Sequence, residues 1–181
     1  LGQPLFEEPV RLLARIGGEA VAVTGSGYTV EEVRDTRAVM RSRWRAGPLA
    51  GTARAEWDYD GMMLWTLEIE PSDTPLESLT LDLPFEDAAM PLMHACTDGI
   101  RFNYAGRVPA GQGPVWDSRK AARNSIIGSY VPYIWVGAEE RGFCVFGDND
   151  RGWVTGTNTP CQELVREDGL LRLRLNLVAA P

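Results

Sequence analysis

The chain has 181 residues and a formal net charge of −7, and 44% of its residues are hydrophobic. This length allows one substantial core, and all-β domains of this size are common. The acidic excess repels polyphosphate and argues against nucleic-acid binding. Charges interrupt every apolar run before it reaches membrane-spanning length, so we expect no contact with a membrane.

Most of the chain alternates apolar and polar residues with a period of two, which predicts strands. In chain order, strands are predicted at 10–16, 19–24, 36–46, 53–70 (a hairpin turning at Asp60-Gly61), 76–83, 100–104, 131–137 with 142–146, and 161–167 with 170–178 (turning at Asp168-Gly169). Asp-Gly suits the positive φ angles of tight hairpin turns. Within residues 36–46, Arg37, Arg41, Arg43 and Arg45 are expected on one solvated strand face.

Helical signals are few. Residues 30–39 and 118–127 allow a few helical turns, but neither has a sustained apolar stripe. The glycine- and proline-rich segment 99–116 is predicted to be a long surface loop. We therefore expect an all-β antiparallel β-sandwich with few short helices, formed as a single domain over residues 1–181.

Several possible motifs have simpler interpretations. Gly25 and Gly27 follow an apolar strand, as in a dinucleotide site, but Val30 stands where a third glycine is needed, so a two-glycine turn is favoured. The segment 148–152 (D-N-D-R-G) has hard oxygen ligands that suit Ca²⁺, but it departs from the EF-hand spacing and is interpreted as an acidic turn that caps its own backbone amides. We expect no cofactor, and Ca²⁺ at this turn remains the alternative.

No catalytic set is visible in the sequence. His94 is the only histidine, so a histidine-based triad or a two-histidine metal site would need partners from elsewhere. Cys96, Cys144 and Cys161 have no C-x-x-C spacing, which leaves open one disulfide plus a free thiol, or three thiols. Carboxylates such as Glu139 cannot be paired across a glycosidic bond from sequence alone. No catalytic residue and no metal ligand is predicted.

Residues 130–153 combine aromatic rings with acidic groups and arginine (Y-V-P-Y-I-W-V-G-A-E-E-R-G-F-C-V-F-G-D-N-D-R-G-W). A sugar ring offers C–H faces that contact aromatic rings and hydroxyls that form hydrogen bonds, so this composition indicates a carbohydrate site. The alternative is that Tyr133 and Trp135, alternating with Ile134 and Val136, are core and rim residues of a sandwich strand.

The same block resembles glycoside hydrolases related to glycoside hydrolase family 123, in the β-sandwich region that precedes the catalytic barrel. The segment 93–118 (M-H-A-C-T-D-G-I-R-F-N-Y-A-G-R-V-P-A-G-Q-G-P-V-W-D-S) and the C-terminal L-R-L-R-L-N-L-V-A-A-P are similar to parts of the same proteins. The first half of the chain carries little of the resemblance. Val145 departs from the pattern, because an aromatic residue is expected there.

The resemblance implies a bacterial, carbohydrate-active and extracytoplasmic parent protein, of which this chain is a fragment. Its sandwich is expected to be of galactose-binding or supersandwich type. Family-123 enzymes use an adjacent Asp-Glu pair in the barrel, whereas this chain has Glu86-Asp87 in reverse order and in a sandwich-like segment, so no catalytic residue is carried over.

The sequence thus predicts a non-catalytic accessory domain that packs on a C-terminal catalytic barrel of the same polypeptide and contributes to carbohydrate binding. The alternatives are a free-standing carbohydrate-binding module with Trp116, Trp135 and Trp153 as a stacking surface, or a structural domain without ligand. The candidate carbohydrate-binding residues are His94, Arg101, Trp116, Trp135, Glu140, Arg141, Asp150 and Trp153.

Overall fold

The structure is a computed structural model that describes residues 4–96, 103–121, 129–153, 155 and 159–179. The chain divides into two compact units, which we call the sandwich unit (residues 1–12 and 77–181) and the sheet unit (residues 13–76). The strands are β1 (Arg11–Ile16), β2 (Glu19–Arg34), β3 (Arg37–Ala46), β4 (Leu49–Asp58), β5 (Met63–Ile69), β6 (Ser78–Glu86), β7 (Leu92–Cys96), β8 (Tyr104–Arg107), β9 (Gly113–Asp117), β10 (Tyr133–Gly137), β11 (Gly142–Phe146), β12 (Gln162–Glu167) and β13 (Leu170–Ala179).

Helical structure is confined to a 3₁₀ turn at Asp87–Ala89 and a four-residue helix, α1 (Ser118–Ala121), within the described part of the chain. Among the described residues, no helix has the length and apolar character needed to span a membrane. Within the described residues, the strand pairs of each unit are antiparallel. The predicted all-β antiparallel sandwich is confirmed.

The sandwich unit has two layers. One contains strands in the order β6-β13-β12-β9, and the other has the order β11-β10-β7-β8. Alternate residues of each strand point between the layers, because successive side chains of a strand face opposite sides. They form one buried cluster that includes Leu83, Phe85, Met93, Ala95, Trp116, Ile134, Val136, Leu164, Leu171, Leu173 and Leu175.

The N-terminal segment closes this core. Phe6 lies 5.2 Å from Phe85 and 5.4 Å from Phe143, measured between ring centroids, so it contacts a strand of each layer. Such clustered rings contribute packing energy beyond the area that they bury.

The polar side of β13 is also largely covered. Asp82 is 3% exposed, and its carboxylate accepts hydrogen bonds from Arg172 Nη1 at 2.6 Å and Arg174 Nε at 3.1 Å. Glu8 and Glu167 complete the ion-pair cluster. The buried carboxylate is therefore compensated by two cations, as a buried charge requires.

In the sheet unit, the register aligns four rows of side chains that each cross β2, β3, β4 and β5 on the same face. Directly opposite residues in antiparallel strands share a face. The rows are Val33-Ala38-Trp57-Met63, Val30-Met40-Ala55-Trp65, Tyr28-Ser42-Ala53-Leu67 and Gly25-Trp44-Gly51-Ile69. None of these residues is charged, and we call this surface the uncharged face.

The opposite face of the sheet unit has an ion-pair ladder. Glu31 accepts from Arg41 Nε at 2.7 Å and from Arg54 Nε at 3.1 Å, and Glu56 pairs with both Arg54 and Arg37. The hydrogen bonds from Arg54 and Arg41 hold the pKa of Glu31 below its ordinary value. The prediction that the arginines of 36–46 occupy one solvated face is consistent with this ladder.

Three expectations are corrected by the structure. Residues 30–39 hold no helix but the end of β2, a turn and the start of β3, which pair with each other across a register shift. The Gly25-Gly27 segment is not a turn: both glycines lie within β2, where the register shifts and Gly27 has a φ of 78°. The predicted loop 99–116 contains β8 and most of β9.

Other predicted elements compare as follows. The hairpins around Asp60-Gly61 and Asp168-Gly169 are confirmed, as β4 with β5 and β12 with β13. Strand β7 was not predicted. Most of the strand predicted at 100–104 lies outside the described residues, as does most of the second helical segment beyond α1.

Candidate functional site

The candidate site lies on the outer face of the β11-β10-β7-β8 layer, on the side away from the core. Strand β10 places Ile134 and Val136 inward, fully buried, and Tyr133 and Trp135 outward. Trp135 is registered against His94 of β7. A shallow depression of about 370 Å³ is lined by Leu92, Met93, His94, Ala105, Gly106, Tyr133 and Trp135. The alternation predicted for residues 133–136 is therefore correct.

The indole of Trp135 lies across two glycines of its own sheet. A Cβ atom placed on Gly142 would lie 2.4 Å from Trp135 Nε1, and one placed on Gly137 would lie 2.5 Å from Cζ2. A Cβ projects out of the sheet surface, so ring atoms at these distances mean that the ring occupies the space above both glycines. The ring thus has one side against the backbone of β10 and β11 and is half-buried.

The polar groups beside this ring are an imidazole, a phenol and two thiols. His94 Nε2 and Cys96 Sγ are in hydrogen-bond contact at 3.2 Å, and the His94 ring meets the Tyr133 ring edge-on at 5.6 Å. Burial raises the pKa of the Cys96 thiol. Burial also raises the pKa of the Tyr133 phenol, and a hydrogen bond with Cys144 adds a smaller increase. Cys144 has a raised pKa for the same first reason, burial. Both thiols therefore stay protonated at neutral pH and are poor nucleophiles.

A second, more polar depression of about 580 Å³ adjoins the first at Leu92. Its charged lining is Arg107, Glu139, Glu140 and Arg141, with the last three in the turn between β10 and β11. These four side chains are exposed. The two depressions together offer an aromatic surface next to hydrogen-bonding side chains.

The remaining candidate residues are placed elsewhere. Trp116 is 4% exposed and lies inside the core cluster. Trp153 packs against the core and lies 5.2 Å from Tyr130, measured between ring centroids. Asp150 is partly buried near Tyr130. Burial raises the pKa of the Tyr130 phenol, and the charge of Asp150 raises it further. Arg101 lies outside the described residues.

The structure thus brings together His94 with Trp135, and Glu140 with Arg141. It does not place the three tryptophans on one surface. Sequence reasoning did not select Arg107, which enters the site because β8 pairs with β7 and Arg107 is registered against Leu92. No local motif marks such a residue; only the strand register does.

The acidic turn 148–152 forms hydrogen bonds with its own backbone, as the sequence predicted. Asn149 Oδ1 accepts from the Arg151 amide at 3.0 Å, and the Trp153 amide donates to the Asp150 carbonyl at 3.0 Å. Within the residues that the structure describes, no group of three or more His, Cys, Asp and Glu side chains is placed to hold a metal ion. The Ca²⁺ alternative stays a prediction.

The first depression thus places an indole beside an imidazole and a phenol, and the second presents four charged side chains. One family model matches residues 1–148, that of "Glycoside hydrolase 123, third domain". The chain belongs to this family. The relation to glycoside hydrolase family 123 that the residues suggested is confirmed. Comparisons with curated proteins and with solved structures gave no match for this glycoside hydrolase 123 domain.

Proposed function

We propose that the chain is a non-catalytic accessory domain of a glycoside hydrolase, which packs on the catalytic domain of the same polypeptide and contacts carbohydrate through Trp135. Membership of the third-domain family supports the first part of this proposal. The position of the Trp135 indole above Gly137 and Gly142 is the observation that carries the second.

A ring lying along a sheet surface presents its other side outward, and a pyranose can stack on it with its C–H groups against the π-system. His94 and Tyr133 line the same depression, and Arg107, Glu140 and Arg141 follow in the adjoining one. These side chains can donate to and accept from sugar hydroxyls. A site with a few polar groups around an aromatic surface is a common form of small-ligand site.

The non-catalytic part rests on the chemistry of this surface. Its thiols are held neutral by burial, and its carboxylates, Glu139 and Glu140, are exposed in a turn. Glycoside hydrolysis requires an acid whose pKa is raised beside a second carboxylate. Turnover of an aryl glycoside by the isolated chain would contradict this part.

A structural domain without ligand is the second candidate. It is favoured by the use of two tryptophans in packing, since Trp116 is inside the core and Trp153 is packed against Tyr130. The free-standing binding module with all three tryptophans on one surface has less support, because only Trp135 is on the outer face of the layer.

Titration of the isolated chain with cello-, xylo-, manno-, galacto- and chito-oligosaccharides, followed by intrinsic fluorescence and calorimetry, separates these candidates. We expect saturable binding of at least one oligosaccharide. Trp135→Ala should weaken it at least about fivefold, since an aromatic contact contributes about 1 kcal/mol beyond its area. Trp57→Ala is the control, because Trp57 is an exposed tryptophan of the sheet unit. No binding across the panel, or equal binding by Trp135→Ala, would favour the structural domain.

A further inference from the structure

The uncharged face of the sheet unit leaves large apolar side chains open. Tyr28 is 70% exposed, Val33 is 72% exposed and Trp57 is 43% exposed, and all three lie on this face. Residues 13–76, all of which the structure describes, form strands of a single sheet and contain no second layer that could cover it. A sheet with an apolar face normally buries that face against another element.

The two faces of this sheet differ sharply in chemistry. On the ladder face, Arg37, Arg41 and Arg54 pair with Glu31 and Glu56, so this face is charged and suited to water. The four rows of the uncharged face have no ionisable group except the phenol of Tyr28. Depletion of charge together with enrichment in Trp, Tyr and Met is the composition of interface cores, and permanent interfaces are the most apolar.

The size of the face limits what can cover it. Four strands at about 4.8 Å spacing and four rows about 6.8 Å apart give roughly 500 Å². A stable complex between free partners buries about 800 Å² on each side, so this face alone is too small for a second copy or a diffusing partner. Contacts between domains of one chain bury about 600–1,500 Å² counted over both sides, a range that this face and an equal partner surface would reach together. Tethering within one polypeptide also raises the effective concentration of the partner to about the millimolar range.

We infer that the uncharged face is the surface on which this domain docks against an apolar surface of the catalytic domain in the same polypeptide. This rests on the proposed accessory role and specifies the interface through which it operates. The row Val33-Ala38-Trp57-Met63, near the turn ends of the strands, is the most exposed part and is buried in the docked state.

The test compares Val33→Arg with Leu64→Arg in the full-length enzyme and in the isolated chain. Leu64 is a matched control because it is 62% exposed but lies on the ladder face, opposite Glu56. In the full-length enzyme, we expect Val33→Arg to lower the melting temperature of this domain to that of the isolated chain and to increase the radius of gyration measured by small-angle scattering. Leu64→Arg should change neither. In the isolated chain, both variants should melt within about 2 °C of the wild type.

Each other result overturns the inference in a distinct way. Equal effects of the two variants in the full-length enzyme would show that docking does not use this face, while leaving the accessory role intact. Loss of stability by Val33→Arg in the isolated chain would show that Val33 acts within the domain itself. A wild-type isolated chain that dimerises in sedimentation velocity, and becomes monomeric with Val33→Arg, would assign the face to a second copy. Independent unfolding of the domains in the wild-type enzyme would remove the proposed packing altogether.

Discussion

Gly142→Ala tests directly whether the Trp135 indole lies along the sheet. The added Cβ would meet Nε1 at 2.4 Å, Cε2 at 2.5 Å and Cζ2 at 2.6 Å, whereas ordinary contacts begin at 3.4 Å. The ring must therefore move outward by about 1 Å, and a gap of that size forfeits a quarter to a half of each atom's dispersion energy.

We expect Gly142→Ala to lower the free energy of unfolding by about 1–3 kcal/mol, the usual range for an added group in a filled site. For a chain of this length, that corresponds to a fall in Tm of roughly 2–12 °C. Thermal unfolding followed by near-ultraviolet circular dichroism measures it, and the tryptophan emission should shift to longer wavelength as the ring becomes more hydrated.

A double-mutant cycle with Trp135→Ala identifies the cause. All three nearest atoms to the Gly142 Cβ belong to Trp135, so removing the ring should leave Gly142→Ala within about 0.5 kcal/mol of neutral. Gly137→Ala should stay destabilising, because its Cβ also meets the Arg141 carbonyl oxygen at 2.6 Å. Gly25→Ala is the control for an unobstructed strand glycine. A Gly142→Ala variant as stable as the wild type would refute the reasoning.

Three further predictions concern the sandwich unit. Asp82→Asn should cost about 3 kcal/mol in urea unfolding, because it leaves the Arg172 guanidinium without a buried counter-charge. Gln162→Ala should cost about 2–4 kcal/mol by the same assay, because the buried Gln162 amide accepts from the Val131 amide at 3.2 Å and donates to its carbonyl at 2.9 Å, and both would lose a partner. Burial raises the pKa of the Cys161 thiol, so the folded state binds the thiol proton more tightly than the unfolded state does. The free energy of unfolding should therefore fall as the pH rises through the thiol range. Cys161 should also be alkylated more slowly in the folded chain than in the unfolded chain.

These predictions have simple controls and contrary results. Asp73 is an exposed carboxylate, and Asp73→Asn should change stability by no more than about 0.5 kcal/mol. Gln162→Glu keeps the acceptor but loses the donor to the Val131 carbonyl, so it should remain destabilising. A free energy of unfolding that is flat from pH 7 to 10, or rapid alkylation of Cys161 in the native chain, would contradict the burial argument.

Local patterns predicted the strands well where both arms of a hairpin alternate and an Asp-Gly turn joins them. Asp168 has a φ of 54° and Gly169 a φ of 78°, the positive angles that such a turn demands. Leu171, Leu173 and Leu175 then face the core. Here the sequence and the fold agree because the interactions that decide the structure lie within a few residues.

The errors have a different physical origin. Strand β7 has only five residues, and only Met93 and Ala95 of them are buried, so its alternation is too short to predict a strand. Its formation depends on pairing with β8 and β10. Segment 99–116 has many glycines and prolines, yet Pro114 is accommodated in β9 beside the register shift between Leu164 and Val165 of β12. A bulge tolerates a residue that cannot donate to the ladder. Long-range pairing overrides local preference at both places.

Alternation shows that a tryptophan is on one side of a strand, but not whether that side is inside or outside. Trp116 and Trp135 both lie on strands, yet Trp116 enters the core and Trp135 faces outward. The glycines around Trp135 give the missing signal. Gly137 follows Trp135 by two residues, and Gly142 pairs with Gly137 across the hairpin. Neither glycine has a side chain, so the ring can lie along the backbone on that side.

The same device occurs on the sheet unit, where Trp44 is registered against Gly51 and a Cβ there would meet its ring at 2.5 Å. A glycine next to a tryptophan on a sheet surface lets the indole lie flat against the backbone, because the ring occupies the space that a Cβ would fill. Trp44 is thereby buried, at 5% exposure, whereas Trp135 stays half-buried on its sheet surface. A low, rigid aromatic surface loses little side-chain entropy when a ligand or a domain covers it, and this makes it a better contact surface than one built from long flexible side chains.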